Sequence, residues 1–461
     1  MPKKPQQKTW VTVARVIIIG LVVLGLIGSI LLGAVGSAYG DSLPTDRIDG
    51  KPVEQYSQVT KDIPNIQAPY AGLSTKEGSL LFERDIDTSV PMASTTKIMT
   101  GIIAIETTDL ETPMKVTHGA ANTDGTEAGL EEGMILPLRD VLYALLLPSG
   151  NDAAVVIAEN LAGMESRFVD SMNAKAAELG MTATHFADAS GLSDENHYTS
   201  ARDYLVLARY CMKNPQFREI VGTKDHNITV GDKVMEMHTT SELAEVLEGA
   251  EATGIKTGYT DLAGYCYVGS AVSGGIELYA IVFGAADSEQ RFYDVAALLE
   301  WGFRHYRTIE LINSSQQVAD VALTSWLDKT VPAYAPAVTR VEIFDLNGAI
   351  SQEITISDIS GEATQGAICG EIIWTQGDDV LTSSPVVVDQ TVYPPSFFEG
   401  IAIAWQRFWG GIFGDKPNAS TTILLKSDLP IPPPVAAPTS DGKTTTPMSV
   451  TDIDSDLAKA A

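Results

Sequence analysis

The chain is poor in the residues that cross-link small folds or bind metals. It has 3 cysteines and 6 histidines in 461 residues. Cys211, Cys266 and Cys369 lie far apart with no C-x-x-C pair, so they indicate neither a zinc site nor a disulfide framework. We expect buried free thiols. The histidines show no H-x-x-x-H spacing, and the sequence therefore predicts no metal and no cofactor.

Basic residues are also scarce. The chain has 31 Lys and Arg against 59 Asp and Glu, which gives a net charge of -28. A nucleic acid partner needs a basic face that neutralises its phosphates, so we expect no nucleic acid partner. We interpret the excess acid as favouring solubility outside the cell. The hydrophobic fraction of 44% is otherwise ordinary for a globular protein.

One long stretch lacks charge altogether. Residues 16–38 carry no charged side chain and follow the basic stretch 3–15. About 20 apolar residues suffice to cross a bilayer, so 1–38 is predicted to be a signal peptide or an N-terminal membrane anchor. Small residues at 36–38 offer a cleavage site, and both possibilities stay open. Either way, the basic flank places the rest of the chain outside the cytoplasm.

The composition of the sequence changes twice after this segment. Residues 39–69 are polar and rich in proline, which indicates a linker. Residues 70–306 alternate short apolar strands with helical patterns, as an α/β (α+β) domain would. Residues 307–393 contain runs of valine, isoleucine and threonine separated by glycine, aspartate and serine. They predict a small all-β domain that acts as a spacer or an interaction module.

The C-terminal part contains one amphipathic pattern. In residues 394–416, apolar side chains recur at helical spacing after two prolines: Phe397, Phe398, Ile401, Trp405, Phe408, Trp409, Ile412 and Phe413. Such an aromatic face suits the membrane interface, and packing on the β domain is the competing interpretation. Residues 417–461 turn to proline, serine, threonine and acid, which indicates a disordered tail.

Three short motifs follow one another inside the α/β domain. They are Ser94-Thr95-Thr96-Lys97, Ser149-Gly150-Asn151 and Lys256-Thr257-Gly258. Each motif alone is weak, because such short patterns arise by chance in unrelated proteins. Only their combination in this order is informative.

The first motif precedes an apolar run that predicts a buried helix, which Ser94 is expected to open. A spacing of three residues places Lys97 one turn on, within reach of the Ser94 hydroxyl, so that a nucleophile and its base are adjacent. Lysine acts as a base near neutral pH only if its pKa falls well below about 10.4. Burial and a second cation, Lys256, would lower it.

The other two motifs supply the remaining walls of a cleft. Pro148 and Gly150 interrupt an apolar helix, so a tight loop would present Ser149 and Asn151. Ser149 would relay a proton to the leaving amine, and Asn151 would orient Lys97 and the substrate amide. The third motif indicates a strand edge where Lys256 holds a substrate carboxylate.

The ordered motifs resemble the S-x-x-K, S-x-N and K-T-G set of penicillin-binding proteins and serine β-lactamases. The surrounding text at 145–154, 168–173, 179–181 and 197–203 is similar to the low-molecular-mass D-alanyl-D-alanine carboxypeptidases. So are residues 256–266. The resemblance is close over about 68–306 and looser over 307–393, and it implies a transpeptidase-like catalytic fold followed by a β-rich domain.

The resemblance also implies an activity and its residues. The enzyme would remove the terminal D-alanine from peptidoglycan pentapeptide stems through a Ser94 acyl-enzyme, and β-lactam antibiotics would be covalent inhibitors. Lys97 would be the base, with Ser149 and Asn151 as the other catalytic side chains. Lys256, Thr257, Gly258 and Tyr259 would bind substrate, and the backbone N–H groups of Ser94 and Tyr259 would form the oxyanion hole.

Two departures and three rivals accompany this interpretation. Residues 237–241 stand where the family usually carries an asparagine-rich run, and the N-terminal apolar segment is unusually long. A class A β-lactamase needs a deacylating glutamate in an E-x-x-L-N loop, which the sequence lacks. The second rival is a catalytically silent wall-binding protein. The third is a D,D-endopeptidase, which would use the same residues.

Overall fold

A computed structural model describes residues 42–56, 62–192, 195–413, 418–426 and 428–429. The predicted N-terminal signal or anchor (1–38) lies outside the described residues, as does most of the predicted tail. Within the described part of the chain, no helix is both long and apolar enough to span a bilayer.

Helices make up much of the first part of the chain. Ser94 lies in a 3₁₀ turn, Ala93–Thr96, that runs directly into the first α-helix. The helices in chain order are α1 (Lys97–Thr107), α2 (His118–Ala121), α3 (Leu138–Leu146), α4 (Asn151–Ala162), α5 (Glu165–Glu178), α6 (Ala201–Met212), α7 (Pro215–Val221), α8 (Leu243–Val246), α9 (Gln290–His305) and α10 (Phe397–Phe413).

The strands fall into two groups, one on each side of α9. Those before it are β1 (Arg47–Ile48), β2 (Lys51–Pro52), β3 (Tyr70–Thr75), β4 (Leu80–Arg84), β5 (Val90–Pro91), β6 (Pro113–Lys115), β7 (Ile135–Pro137), β8 (Tyr198–Thr199), β9 (Asp225–Val230), β10 (Lys233–His238), β11 (Glu251–Thr260), β12 (Gly264–Ser273) and β13 (Ile276–Ala285). Those after it are β14 (Tyr306–Ile312), β15 (Gln317–Ala322), β16 (Thr330–Tyr334), β17 (Thr339–Phe344), β18 (Ile350–Ile356), β19 (Ile368–Gln376), β20 (Asp379–Val388), β21 (Thr422–Ile423) and β22 (Asp428–Leu429).

An antiparallel sheet organises the first region. Among the described residues its order is β11-β12-β13-β3-β4-β1-β2, which makes β11 an edge strand. Because side chains alternate along a strand, β13 serves two cores. Ile281 and Phe283 pack against α1 and α3–α7 on one face, whereas Ala280 and Val282 pack with α9 on the other. This arrangement is the predicted α/β (α+β) catalytic fold.

The residues expected to form a linker are largely part of this fold. β1 pairs with β4 and extends the sheet. Ile48 and Ala68 are fully buried, and Arg84 forms a buried ion pair with Asp46 at 2.6 Å. Asp294 on α9 accepts the N–H of Ala68 at 2.7 Å. The described part of 39–69 therefore differs from the expected extended linker, because apolar side chains between its polar residues find places in the core.

The second region is rich in strands, as predicted. Its main sheet has the order β21-β15-β16-β20-β19-β18-β22 within the described residues, and β14 pairs with β17 in a separate ribbon. Val331, Ile372 and Trp374 are fully buried at its centre. Residues 422–423 and 428–429 supply two of the strands, so this part of the expected disordered tail belongs to the sheet.

The predicted C-terminal amphipathic helix is present as α10. Arg407 Nη2 donates to the carbonyls of Thr324 and Trp326 at 2.6 and 2.9 Å, which holds one side of the helix against the β-rich region. The aromatic side chains of α10 are exposed, and Trp405, Trp409 and Phe413 border a cavity whose other wall is Leu327 and Asp328. The competing interpretation, burial of the apolar face on the β domain, therefore does not describe these exposed side chains.

Candidate active site

The first motif lies in the 3₁₀ turn that precedes α1. Ser94 was expected to open the α-helix. The helix instead begins three residues later, at Lys97. In a 3₁₀ turn the side chains of residues i and i+3 eclipse, which aligns Ser94 with Lys97. Ala93, immediately before the serine, has a φ of +48°, a region that costs a non-glycine residue energy and often marks a functional turn. Ser94 remains partly exposed, although the residues around it are buried.

Lys97 is the centre of the hydrogen-bond network. Its Nζ donates to Ser94 Oγ at 2.9 Å, to Asn151 Oδ1 at 2.7 Å and to the Ser190 carbonyl at 2.7 Å. The side chain is fully buried, and burial lowers its pKa from 10.5 to about 7 although Asp188 and Asp152 oppose the shift. At neutral pH a large fraction of Lys97 is therefore an uncharged amine, which has two N–H donors for Asn151 and Ser190 and a lone pair that can accept the Ser94 O–H.

The second motif occupies the loop between α3 and α4, as predicted from Pro148 and Gly150. Ser149 has a φ of +71°, and its Oγ is buried with no hydrogen-bond partner among the described residues. A buried polar atom without a partner costs free energy. The Ser149 hydroxyl is therefore available to form a hydrogen bond with a ligand in the cleft. Asn151 opens α4, and its Nδ2 donates to the Asp124 carbonyl at 2.8 Å. That bond fixes the amide so that its oxygen faces Lys97.

The third motif lies on the edge strand β11, which agrees with the predicted strand edge. Lys256 is 1% exposed and its Nζ donates to the Thr257 carbonyl at 3.2 Å. Burial, then the charges of Lys97 and Arg291, lower the pKa of Lys256 well below its usual value. Burial is thus the largest cause of both shifts. The charge of Lys97 lowers the pKa of Lys256, but the predicted effect of Lys256 is not among the causes of the Lys97 shift.

Gly258 allows β11 to approach the turn that carries Ser94. A Cβ placed there would lie 3.1 Å from the Thr95 nitrogen and 3.2 Å from the Met92 carbonyl oxygen. The nearest neighbours of Gly258 thus belong to the Ser94 turn. Tyr259 follows with 48% of its surface exposed, and its ring stacks on Tyr265 with centroids 4.3 Å apart.

The structure therefore brings all three motifs to one place. Ser94, Lys97 and Asn151 are directly hydrogen-bonded, β11 packs against the Ser94 turn, and Ser149 is two residues from Asn151.

Three residues of the site were not identified from the sequence. Ser190 contributes through its carbonyl, which no side-chain pattern reveals. Thr240 Oγ1 lies 2.5 Å from Thr257 Oγ1, and its N–H donates to the Leu147 carbonyl at 3.2 Å. Thr240, in the atypical stretch 237–241, therefore links the third motif to the chain just before the second motif. Arg291 Nη1 donates to the Gly258 carbonyl at 3.2 Å, but its sequence context carries no motif.

The site holds donors and acceptors suited to acyl transfer. In the described ranges, no group of three or more His, Cys, Asp and Glu side chains is arranged to hold a metal ion. Cys211, Cys266 and Cys369 are buried free thiols, as expected. Burial raises the pKa of Cys266, the thiol closest in sequence to the third motif, to about 12, which makes it unreactive at neutral pH.

Comparisons with known proteins identify a family and several relatives of the chain. The model of the peptidase family S11, D-alanyl-D-alanine carboxypeptidase, matches residues 58–287. The D-alanyl-D-alanine carboxypeptidase DacF of Bacillus subtilis is 31% identical over 330 residues, covering 69% of this chain and 84% of that protein. DacA of Escherichia coli is 27% identical over 357 residues, covering 73% and 86%.

Solved structures agree with the fold. The carboxypeptidase DacD of Francisella tularensis superposes with a TM-score of 0.54 at 24% identity and covers 72% of this chain and 95% of its own. The Streptomyces K15 DD-transpeptidase has a TM-score of 0.50 at 27% identity, over 52% and 98% of the two chains.

Fold and site together define an active-site serine enzyme of the penicillin-binding type. The chain belongs to the D-alanyl-D-alanine carboxypeptidase family. The resemblance and the serine-type carboxypeptidase function predicted from the sequence are thereby confirmed. The rival readings, a silent wall-binding protein and a D,D-endopeptidase, gain no support from these relatives.

Proposed function

We propose that Ser94 is the nucleophile with which this enzyme removes the terminal D-alanine from peptidoglycan pentapeptide stems, and that Lys97 is its general base. The observation that carries the proposal is the position of Lys97 Nζ, 2.9 Å from Ser94 Oγ, combined with a pKa of about 7. A base is most effective when its pKa lies near the working pH, because it is then both available and basic.

The reaction proceeds in two steps. Neutral Lys97 takes the Ser94 proton as Oγ attacks the carbonyl carbon of the D-alanyl-D-alanine amide. The backbone N–H groups of Ser94 and Tyr259 stabilise the developing oxyanion. The C–N bond then breaks, and the proton reaches the departing amine through the Ser149 hydroxyl, which has no other partner among the residues described. Water hydrolyses the resulting ester and restores Ser94.

Binding of the substrate carboxylate falls to the β11 side of the cleft. Lys256 is buried and donates to the Thr257 carbonyl, and no ion pair is formed with it among the described residues, so an incoming carboxylate would supply a counter-charge and raise its pKa. Arg291 adds a second positive charge behind Gly258. Thr257 is oriented by Thr240, and the exposed ring of Tyr259 borders the cleft. Together they select a peptide that ends in a free carboxylate.

β-Lactam antibiotics enter the same chemistry as covalent inhibitors. Ser94 opens the lactam and forms an ester, which the enzyme hydrolyses slowly because the sequence lacks the deacylating E-x-x-L-N loop of class A β-lactamases. Acylation by a penicillin is therefore a direct readout of the Ser94–Lys97 pair.

We also propose that the enzyme works outside the cytoplasm at a membrane surface, to which α10 attaches it. Phe398 and Phe413 are 82% and 77% exposed, so the apolar face is not covered by the β-rich region. Arg407 holds the opposite side of the helix. Aromatic side chains on an amphipathic helix favour the interface between headgroups and acyl chains.

Intact-mass measurement of the full chain after incubation with benzylpenicillin tests the proposed nucleophile. We expect one covalent adduct, with D-alanine released from a diacetyl-lysyl-D-alanyl-D-alanine peptide. Ser94→Ala should abolish both. Ser171→Ala, an exposed serine on α5, is the matched control and should leave both unchanged. An adduct that persists in Ser94→Ala would refute the assignment.

A further inference from the structure

The turn at residues 188–192 is organised by one carboxylate. Asp188 Oδ1 accepts the backbone N–H groups of Ser190 at 2.8 Å, Gly191 at 2.5 Å and Leu192 at 3.3 Å. It also accepts the Ser190 hydroxyl at 3.1 Å. Aspartate side chains commonly fold such turns by bonding to the backbone that follows them. Here every donor comes from the next four residues.

The turn lies directly against the catalytic serine and lysine. The Ser190 carbonyl accepts from Lys97 Nζ at 2.7 Å. Gly191 has a φ of +86°, and a Cβ placed on it would clash with the backbone carbonyl of Ala93 and lie 2.7 Å from Thr96 Oγ1. The fold of the turn therefore determines where one of the three acceptors of Lys97 lies.

Asp188 also contributes charge. Lys97 feels the negative charge of Asp188 from this turn and that of Asp152 from α4. The other cations of the site are Lys256 on β11, whose pKa is lowered by burial and then by the charges of Lys97 and Arg291, and Arg291 itself on α9. His197 Nδ1 lies 3.8 Å from Asp188 Oδ2, and its Nε2 lies 2.6 Å from Thr96 Oγ1, so the ring stands between the 188–192 turn and the 3₁₀ turn that carries Ser94.

The two carboxylates have different accessibility. Asp152 is buried and accepts the N–H groups of Ala128 and Gly129, both at 3.0 Å, and of Leu130. The Asp188 side chain retains 22% exposure. Replacing Asp188 by its amide is therefore the milder way to remove one of the two negative charges that act on Lys97.

We propose that Asp188 is a positioning residue for acylation: its carboxylate folds the turn that aims the Ser190 carbonyl at Lys97, and its charge favours the protonated form of that lysine. This inference rests on the proposed role of Lys97 as the base. The two roles can be tested separately. In Asp188→Asn the side chain keeps an oxygen that can accept the N–H groups of the turn, and it loses the negative charge.

The test is the pH dependence of the acylation rate constant of the full chain with benzylpenicillin. For the wild type, the rate should rise with pH through a midpoint near 7 and then level off, because Lys97 must be neutral to accept the proton. Asp188→Asn removes a negative charge that stabilises the ammonium form. The midpoint should move to lower pH, by roughly half a unit to one unit, with a similar plateau.

Two further variants separate the two roles. Asp188→Ala loses the cap as well as the charge, so its rate should fall at every pH. Glu165→Gln is the matched control, because Glu165 accepts the N–H of Ala189 at 3.0 Å in the same segment and is not among the charges acting on Lys97. Its midpoint should equal that of the wild type.

Each outcome decides the question. If Asp188→Asn has the wild-type midpoint, Asp188 does not act on Lys97 through its charge and the proposal is overturned. Asp188→Ser, whose hydroxyl can cap the same turn, serves if the amide variant does not fold. Failure of both neutral variants to fold would assign the carboxylate to stability alone and would also overturn it. Absence of any adduct in the wild type would instead refute the proposed function of Ser94.

Discussion

The catalytic region and the β-rich region treat buried polar groups differently. In the catalytic region, Lys97 and Lys256 are almost fully buried, and their amines donate to neutral oxygens such as Asn151 Oδ1 and the Thr257 carbonyl. In the β-rich region, Gln352 accepts from Trp374 Nε1 at 2.9 Å, and Gln376 Nε2 donates to the Phe344 carbonyl at 2.8 Å. These are neutral, satisfied amides.

The buried lysines serve the reaction, whereas the buried amides serve the stability of the fold. Burying an ammonium group costs free energy, and the protein lowers that cost by releasing the proton. The resulting neutral amine is what a general base requires. Buried amides with full hydrogen bonding carry no such cost and fix the packing of a core. We therefore expect substitutions in the two regions to have opposite signatures, one in rate and the other in stability.

The largest effect should come from Lys97→Met. The side chain is apolar and of similar length, but it can neither accept the Ser94 proton nor donate to Asn151. Acylation by benzylpenicillin should fall by about 100- to 10,000-fold, the usual contribution of a general base. Stopped-flow or intact-mass kinetics would measure it.

Lys175→Met is the control for this change. Lys175 lies in the same region, 3.1 Å from Glu106 and 3.0 Å from Glu178, away from the cleft. It should keep the wild-type acylation rate. Equal losses in the two variants would mean that the rate reports general destabilisation, and the contrast between the regions would fail.

Trp374→Ala should show the opposite signature. Trp374 is fully buried in the β-rich core, and its removal leaves a large cavity and takes the indole N–H away from Gln352 Oε1. The free energy of unfolding of this region should fall by about 3–5 kcal/mol. Denaturant unfolding followed by fluorescence would measure that loss, and acylation in native buffer should remain unchanged. A parallel loss of acylation would show that the catalytic region depends on this core.

The smallest effect concerns α10. Trp405→Ser with Phe408→Ser removes two exposed aromatic groups from its apolar face. Each contributes about 1.5–3 kcal/mol when fully buried, so partition onto phosphatidylglycerol–phosphatidylethanolamine vesicles should fall at least tenfold per side chain. Co-sedimentation would measure it. Gln406→Ser, also exposed, should sediment like the wild type, and unchanged binding of the double variant would contradict attachment through this face.

The sequence was informative where function depends on side chains in a fixed order. Ser94, Lys97, Asn151 and the Lys256 strand could be placed in one cleft because each has a motif. Ser190 could not, since it acts through a carbonyl whose direction depends on the turn that follows Asp188. Arg291 reaches the site only because α9 packs against the central sheet.

The fold was predictable to a similar extent. Alternating apolar patterns indicated the catalytic fold and the β-rich part that follows it. The segment that includes β1 was misleading, because its polar and proline-rich composition hides a few residues, such as Ile48, that complete a core. Pairing of 422–423 with β15 was equally hidden, since so short a strand has no periodicity of its own.

Gly191 and Gly258 approach the Ser94 turn from two elements, and this has a consequence for antibiotic resistance. A side chain at either position would meet the backbone of residues 92–95 before it met a bound ligand. Bulk introduced there would displace Ser94, the proposed nucleophile, and so should diminish penicillin capture and stem-peptide hydrolysis together. Substitution of either glycine is therefore not expected to produce an enzyme that resists penicillin and still hydrolyses its substrate.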